Sequence, residues 1–263
     1  MKRRIKYLCI LLSICLMGCG QKGSNISDQY ESDSLYVKEK GTLIVGVTEF
    51  EPLDYIKDGE WVGFDAEMAA LFAESLGVSI EFSKIEWDKK TKLLNQGQID
   101  CIWNGMTLTE EVQKEMSCSV PYLNNAQLIV IPEKKADRLQ KEEDCIHLLF
   151  AVEQGSAGEE ELKNRNYRYT AVDTQMDALQ SVLSGKTDVA IIDAIMAGAL
   201  IGQGKQFSEL MDIVAVSDEE YGVGFRNNSD LVEEFNIFWE ENLKNGTVAA
   251  VAEKYGVQSA IIE

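Results

Sequence analysis

The chain has 263 residues and a formal net charge of −19, from 44 acidic and 25 basic side chains. Such an acidic surface is repelled by phosphate backbones and anionic lipid headgroups, which argues against nucleic-acid binding. The length suits two compact units as well as one.

Residues 1–18 read as a targeting segment. Lys2, Arg3, Arg4 and Lys6 form a basic head, and the apolar run 7–17 is too short for a mature membrane span. Leu16-Met17-Gly18-Cys19 matches a bacterial lipobox, which implies cleavage before Cys19 and lipid attachment to it; a plain secretory signal with a chance cysteine is the alternative. Several acyl chains on one residue anchor firmly, since each buried methylene contributes about 0.8 kcal/mol. The mature protein is therefore expected outside the cytoplasm, lipid-anchored to the cell membrane. Residues 19–40 are polar, without a sustained apolar period, and read as a flexible tether.

From Gly41 the signals alternate. Residues 42–47 form a near-continuous apolar strand, and Phe50, Pro52 and Leu53 follow in a loop. Asp65 is placed to cap a helix with Met68, Ala69, Leu71, Phe72 and Leu76 on its apolar face, ended by Gly77. A strand over 78–85, a helix over 88–95 and a strand over 101–103 complete two β-α-β units, which argue for a parallel sheet.

The stretch 100–122, DCIWNGMTLTEEVQKEMSCSVPY, breaks at Asn104-Gly105 and presents Thr107 and Thr109 before a short polar helix. A strand ending at glycine and small hydroxyls before a helix start leaves N–H groups and hydroxyls free for a small polar ligand. An ordinary turn between two strands is the other reading. Cys101 and Cys118 flank it, so a disulfide between them would staple the turn, with buried free thiols as the alternative. No CxxC element is present and the single His147 has no thiol or histidine nearby, so no metal site and no cofactor is expected.

After an apolar run at 127–131 and Pro132 the pattern restarts with a strand over 148–152. It leads through Glu153, Gln154, Gly155 and Ser156 into a helix with an acidic first turn, where free amides suit an anion. A strand over 167–172 precedes a helix capped by Asp173 or Thr174, and a strand over 188–192 ends at Asp193. That carboxylate is an N-cap for the next helix, a partner for a cation, or both. Strands follow over 213–216 and 221–225. The aromatic residues Phe235, Phe238 and Trp239 then lie at helical spacing with Leu231 and Leu243 and read as core.

Eight segments in order, GTLIVGV, F/P/L/Y, GFDAEMAALFAESLG, LLNQGQIDCIWNGMTLTEE with PY, VEQGSAGEE, VLSGKTDVAIIDA, YGVGFR and NGTVAAVAEKYGV, resemble the extracellular solute-binding proteins, family 3. No single motif is strong, but the order spans nearly the whole mature chain. The resemblance implies an α/β, two-lobed periplasmic-binding-protein-like fold (type II) with two hinge strands, at 127–131 and 222–226. Lobe one would be 41–128 plus 223–263, and lobe two 129–222. It also implies capture of an amino acid or related amine by a monomer that hands it to an ABC permease.

Carried over position by position, the resemblance gives Gly105 and Thr107 the ligand's ammonium, with Asp193 as its counter-charge. Ser156 and Ala157, in the turn with Gln154, would hold the carboxylate. Phe50 would be an aromatic wall, and Thr109 opens a helix that supplies N–H groups. Trp87 and Trp103 are further wall residues or packing. The family pattern has an arginine three residues past Thr109, where this chain has Val112. The amides Asn124, Asn125 and Gln127, or Arg226, would have to replace that donor, unless the ligand lacks a carboxylate; all four also read as ordinary loop or hinge residues. The rival reading is a dehydratase-type enzyme on the same scaffold, with Glu153 or Glu159 as general acid. A sensor domain is a third, although no signalling segment follows.

Overall fold

The computed structural model describes residues 32–263. The expected signal segment, the expected lipidation site Cys19 and most of the expected tether lie outside the described residues. Residues 33–40 depart from the tether reading, because they form a helix, α1 (Asp33–Lys40), capped by the Ser32 hydroxyl and ended by Gly41 in the left-handed conformation. Val37 is fully buried and Asp33 accepts from Arg226 Nε at 3.0 Å. Burial of Val37 and long-range polar contacts, from Asp33 to Arg226, Ser34 to Asp230, Lys38 to Glu234 and Lys40 to Asp100, hold this helix down, and none of them leaves a periodic signal in the local sequence.

The chain continues through β1 (Thr42–Val47), β2 (Tyr55–Lys57), β3 (Glu60–Val62), α2 (Phe64–Ser75), β4 (Ser79–Lys84), α3 (Lys90–Asn95) and β5 (Cys101–Thr107). Next come α4 (Glu110–Glu115), β6 (Ser117–Cys118) and the long β7 (Leu123–Pro132). The second half has β8 (Phe150–Glu153), α5 (Ala157–Asn164), β9 (Tyr169–Val172), α6 (Gln175–Leu183), β10 (Val189–Asp193) and α7 (Ala194–Leu200). It closes with β11 (Leu210–Phe225), α8 (Leu231–Lys244) and α9 (Thr247–Tyr255).

The main sheet is mixed and runs β4-β1-β5-β11-β7-β10-β8-β9, with β6 also on β11. β1 is parallel to β4 and β5, and β8 to β9 and β10, as the β-α-β pattern predicts. β7 and β11 run antiparallel from Leu210↔Pro132 to Tyr221↔Leu123 and tie the two lobes together. The fold is thus the two-lobed α/β arrangement with two connecting strands. Two expected strands, at 213–216 and 221–225, are one: the polar residues Ser217, Asp218, Glu219 and Glu220 between them pair across to Gln127, Ala126, Asn125 and Asn124. Backbone pairing carries the strand where hydrophobicity does not.

On the first-lobe side, α2 and α8 pack an aromatic core. Trp103 meets Phe235 edge-on at 4.9 Å between ring centroids, Phe72 meets Phe235 at 5.5 Å, and Tyr122 meets Trp239 at 5.3 Å. The other lobe's core is mostly aliphatic, with Ile129, Ile131, Leu162 and Ile191 buried around Phe150.

Of the two readings of Cys101 and Cys118, the structure has free thiols and not the disulfide, and Cys145 is free as well. β11 lies between the two strands concerned, with Phe225 opposite Cys101 and its neighbour Gly224 opposite Cys118. The cysteines are two strand spacings apart, about 10 Å, and on opposite faces of the sheet. No disulfide spans that separation.

Gly63 begins α2 at φ 131°, a conformation close to glycine-only, and a methyl group there collides with the Leu53 carbonyl. That contact sets the 50–54 loop against α2, with Phe64 N–H donating to Pro52 O and Asp65 N–H to Leu53 O. Gly59 also has positive φ but open space around it. Urea unfolding is therefore expected to show Gly63→Ala costing upwards of ~3 kcal/mol and Gly59→Ala about 1 kcal/mol, a strained backbone alone against strain plus a clash. Equal costs would contradict this packing.

Candidate functional site

A cavity of about 500 Å³ lies where the strand ends of both halves face one another. Its walls include Phe50, Trp87, Gly105, Thr107, Thr109 and Val112 from one side and Glu153, Ser156, Ala157, Gln175 and Asp193 from the other.

Asp193 ends β10, an apolar strand buried along its length, and is 5% exposed. It stands at the N-cap position of α7 but makes no side-chain cap, so the capping reading gives way. Four side chains donate to its carboxylate instead. Oδ1 accepts from Asn125 Nδ2 at 2.6 Å, Gln127 Nε2 at 2.8 Å and the Tyr221 hydroxyl at 2.8 Å, while Oδ2 accepts from Gln175 Nε2. A carboxylate offers about four lone-pair sites, so Oδ1 is saturated and Oδ2 retains one acceptor site for a donor arriving in the cavity.

Gly105 sits late in β5 with φ 55°, its Cα packed under the Phe50, Leu53 and Tyr221 side chains. Its N–H donates to Asp65 Oδ2 at 2.8 Å. Asn104 lines the cavity, yet its amide is spent on the fold: it accepts from Thr48 N–H at 2.9 Å and donates to Asp54 Oδ2 at 2.7 Å. Asp65 does not cap α2 as its position suggested, because it is fully buried and also accepts from the Tyr122 hydroxyl at 2.7 Å. Two buried acids thus hold this pair from behind, Asp54 through the Asn104 side chain and Asp65 through the Gly105 N–H.

Thr107 Oγ1 donates to Glu219 Oε2 at 3.0 Å, and Thr109 caps α4 by accepting Val112 N–H. Phe50 packs edge-to-face on Tyr221 at 6.3 Å and is a wall. Trp87 is another. Ser156 caps α5 by accepting Glu159 N–H at 3.2 Å, and Ala157 begins that helix.

Other expected residues fall elsewhere. Trp103 is fully buried in the aromatic core and does not line the cavity, because β5 turns its side chain to the α2 and α8 face. Asn125 lies behind Asp193 and supports it rather than facing the cavity. Gln154 points outward and donates to Asp88 Oδ2 at 3.1 Å, linking the halves at the rim. Arg226 is bound to Asp33, Asp100 and the Ile99 carbonyl, far from any ligand role. Asn124 is exposed.

Several cavity residues carried no sequence signal as ligand contacts. Gln175 follows a helix cap and Lys90 starts a helix whose neighbours are polar, so each reads locally as exposed, yet both are buried, as is Glu153, which the sequence offered only as a general acid. Burial pushes Glu153 up to about 8, with Asp193 nearby adding to it, and pushes Asp193 up to about 7, with Glu219 adding to that. Burial likewise brings Asp65 up to about 7, and burial with the neighbouring Asp65 holds Asp54 well above the carboxylate range.

Residues 43–258 match the family model of the bacterial extracellular solute-binding proteins, family 3, and the chain belongs to that family. It is 29% identical to the arginine-binding extracellular protein ArtP of Bacillus subtilis, over 95% of this chain and 97% of that one. It is also 29% identical to the L-cystine-binding protein TcyJ of Escherichia coli K12, over 83% and 84% of the two chains. A crystal structure of a mutant of ArgBP from T. maritima superposes with a TM-score of 0.79 at 29% identity, covering 85% of this chain and 98% of that one. The relatives are amino-acid-binding proteins, which makes this chain a solute-binding protein of an extracytoplasmic family.

A carboxyl whose pKa is higher folded than unfolded stabilises the fold below its unfolded value, and that stability drains as pH rises through the folded value. For Glu153 the window runs from its ordinary 4.5 to about 8. Between about pH 5 and about pH 8 the ligand-free protein is expected to lose ~3 kcal/mol more than Glu153→Gln does, by urea unfolding. A smaller loss in the wild type than in the variant would contradict the burial of this group.

Proposed function

We propose that this protein is the lipid-anchored receptor of an ABC importer, which captures a small polar solute, foremost an amino acid, in the cavity between its lobes. The observation that carries this reading is Asp193: a buried carboxylate clamped by four donors, with one acceptor site left, in a cavity sized for a small molecule. The ligand's ammonium would meet that site, with Gly105 and Thr107 on the facing strand. Phe50 and Trp87 would enclose the apolar part of the ligand, and Ser156 and Ala157 its carboxylate. Arginine and cystine, which the names of the two relatives specify, head the list of solutes to test.

Binding follows from closure. The rim contact between Gln154 and Asp88 is made only when the halves are together, and a ligand shifts the equilibrium toward that state by its differential affinity for it. The membrane permease would then read the closed form. The lipid on Cys19 would keep the receptor beside that permease, which makes it a monomeric carrier outside the cytoplasm.

Glu153 supports a second reading, a dehydratase-type enzyme, because a buried carboxyl with a raised pKa in a cavity is suited to general acid work. Product formation from any bound solute favours that reading; return of every solute unchanged favours the receptor.

A thermal-shift screen decides the central point. An amino acid at a hundredfold its Kd is expected to stabilise the wild type by ~2.7 kcal/mol. Asp193→Ala, folded by circular dichroism, is expected to lose that shift for every ammonium-bearing ligand. An undiminished shift refutes the role given to Asp193.

A further inference from the structure

Lys90 is the first residue of α3 and is 8% exposed. Its stem folds over Trp87, with Nζ 4.6 Å from the ring centroid. Nζ donates to the Gly155 carbonyl at 2.9 Å, across the cavity, and lies at a long 3.5 Å from the Trp87 carbonyl. It has no ion-pair partner among the described residues. An ammonium carries three donors, so one well-made bond leaves most of its capacity unused. Glu153, Glu115, Glu111 and Asp88 act on this ammonium only from beyond ion-pair distance, so its remaining donors are open to an anion in the cavity.

The surroundings say where that anion goes. Two other lysines reach the cavity wall, but Lys163 is paired with Glu159 at 3.0 Å and Lys92 is exposed. Lys90 alone is both buried and unpaired. Its bond to Gly155 sets the ammonium beside the turn that opens α5, a helix of 8 residues whose first N–H groups have no intrahelical acceptor. Asp193 brings an acid to the same cavity, and the raised pKa of Glu153 keeps that group largely protonated at neutral pH. Val112, on the wall, brings none of the positive charge that an arginine would.

We propose that Lys90 is the anion-binding and specificity-determining group of this cavity: its ammonium pairs with the ligand's carboxylate, together with the N–H groups at the start of α5, while Asp193 takes the ligand's ammonium. This assignment rests on the amino-acid reading of the site. It makes the cavity selective for zwitterions over amines that lack a carboxylate. Because the same ammonium already touches the Gly155 carbonyl, carboxylate capture and closure of the two halves use one side chain.

The test compares L-arginine and the other common L-amino acids with the α-amides of those that bind, by calorimetry on wild type, Lys90→Met and Lys90→Arg. Ligand-free melting checks the fold of each variant. Wild type is expected to favour the acid over its amide by about 10- to 100-fold. Lys90→Met should weaken the acid by that factor and leave the amide where it was, so the preference vanishes; Lys90→Arg should keep a preference. Equal weakening of acid and amide would show a latch to Gly155 and overturn the assignment, as would no effect on either. A wild type that binds no amino acid overturns the amino-acid reading itself and the assignment with it, a pattern recognisable without the variants.

Discussion

One buried carboxylate organises this molecule. Asp193 draws Asn125 and Gln127 from β7, Tyr221 from β11 and Gln175 from α6 onto a single pair of oxygens. Those donors come from both connecting strands, so satisfying the charge also fixes where the strands cross. A register slip of one residue would turn Asn125 and Gln127 to the other face and strand the charge without donors. The same Tyr221 packs on Phe50, so the acid's support and the cavity's aromatic wall are one unit.

Charge around the cavity is distributed, not uniform. Acidic groups at Asp193 and Glu153 share it with a lone buried lysine at the mouth of α5. Contacts from Lys90 to Gly155 and from Gln154 to Asp88 bridge the two sides, the first from within the cavity and the second at its rim. Behind the first-lobe strand, Asp54 and Asp65 hold Asn104 and Gly105 by hydrogen bonds that no solvent reaches. Rigidity at that strand holds Gly105 in the left-handed region at the cavity wall.

Much of this was legible in the sequence, for local reasons. The apolar runs of β1, β5 and β10 announced a buried parallel sheet, and Asp193 at the end of one of them announced a charge with a purpose. The Gly-Ser turn before an acidic helix start located α5. What stayed hidden was long-range. Lys90 reads as one more charge in a polar helix until Gly155, 65 residues away, closes over it. The Ser217 to Glu220 run has no hydrophobic signal and becomes a strand only because β7 pairs with it. Trp103 and the two cysteines each left two readings open, because adjacency along a strand says nothing of which face the sheet turns inward, or of the strand that lies between.

The most direct measurement is a crystal structure of the protein with a bound amino acid. The ligand's ammonium should lie within hydrogen-bonding distance of Asp193 Oδ2 and its carboxylate within reach of Lys90 Nζ and the first N–H groups of α5. A ligand bound end for end, or seated outside this cavity with Asp193 still holding only its four protein donors, would contradict the central claim.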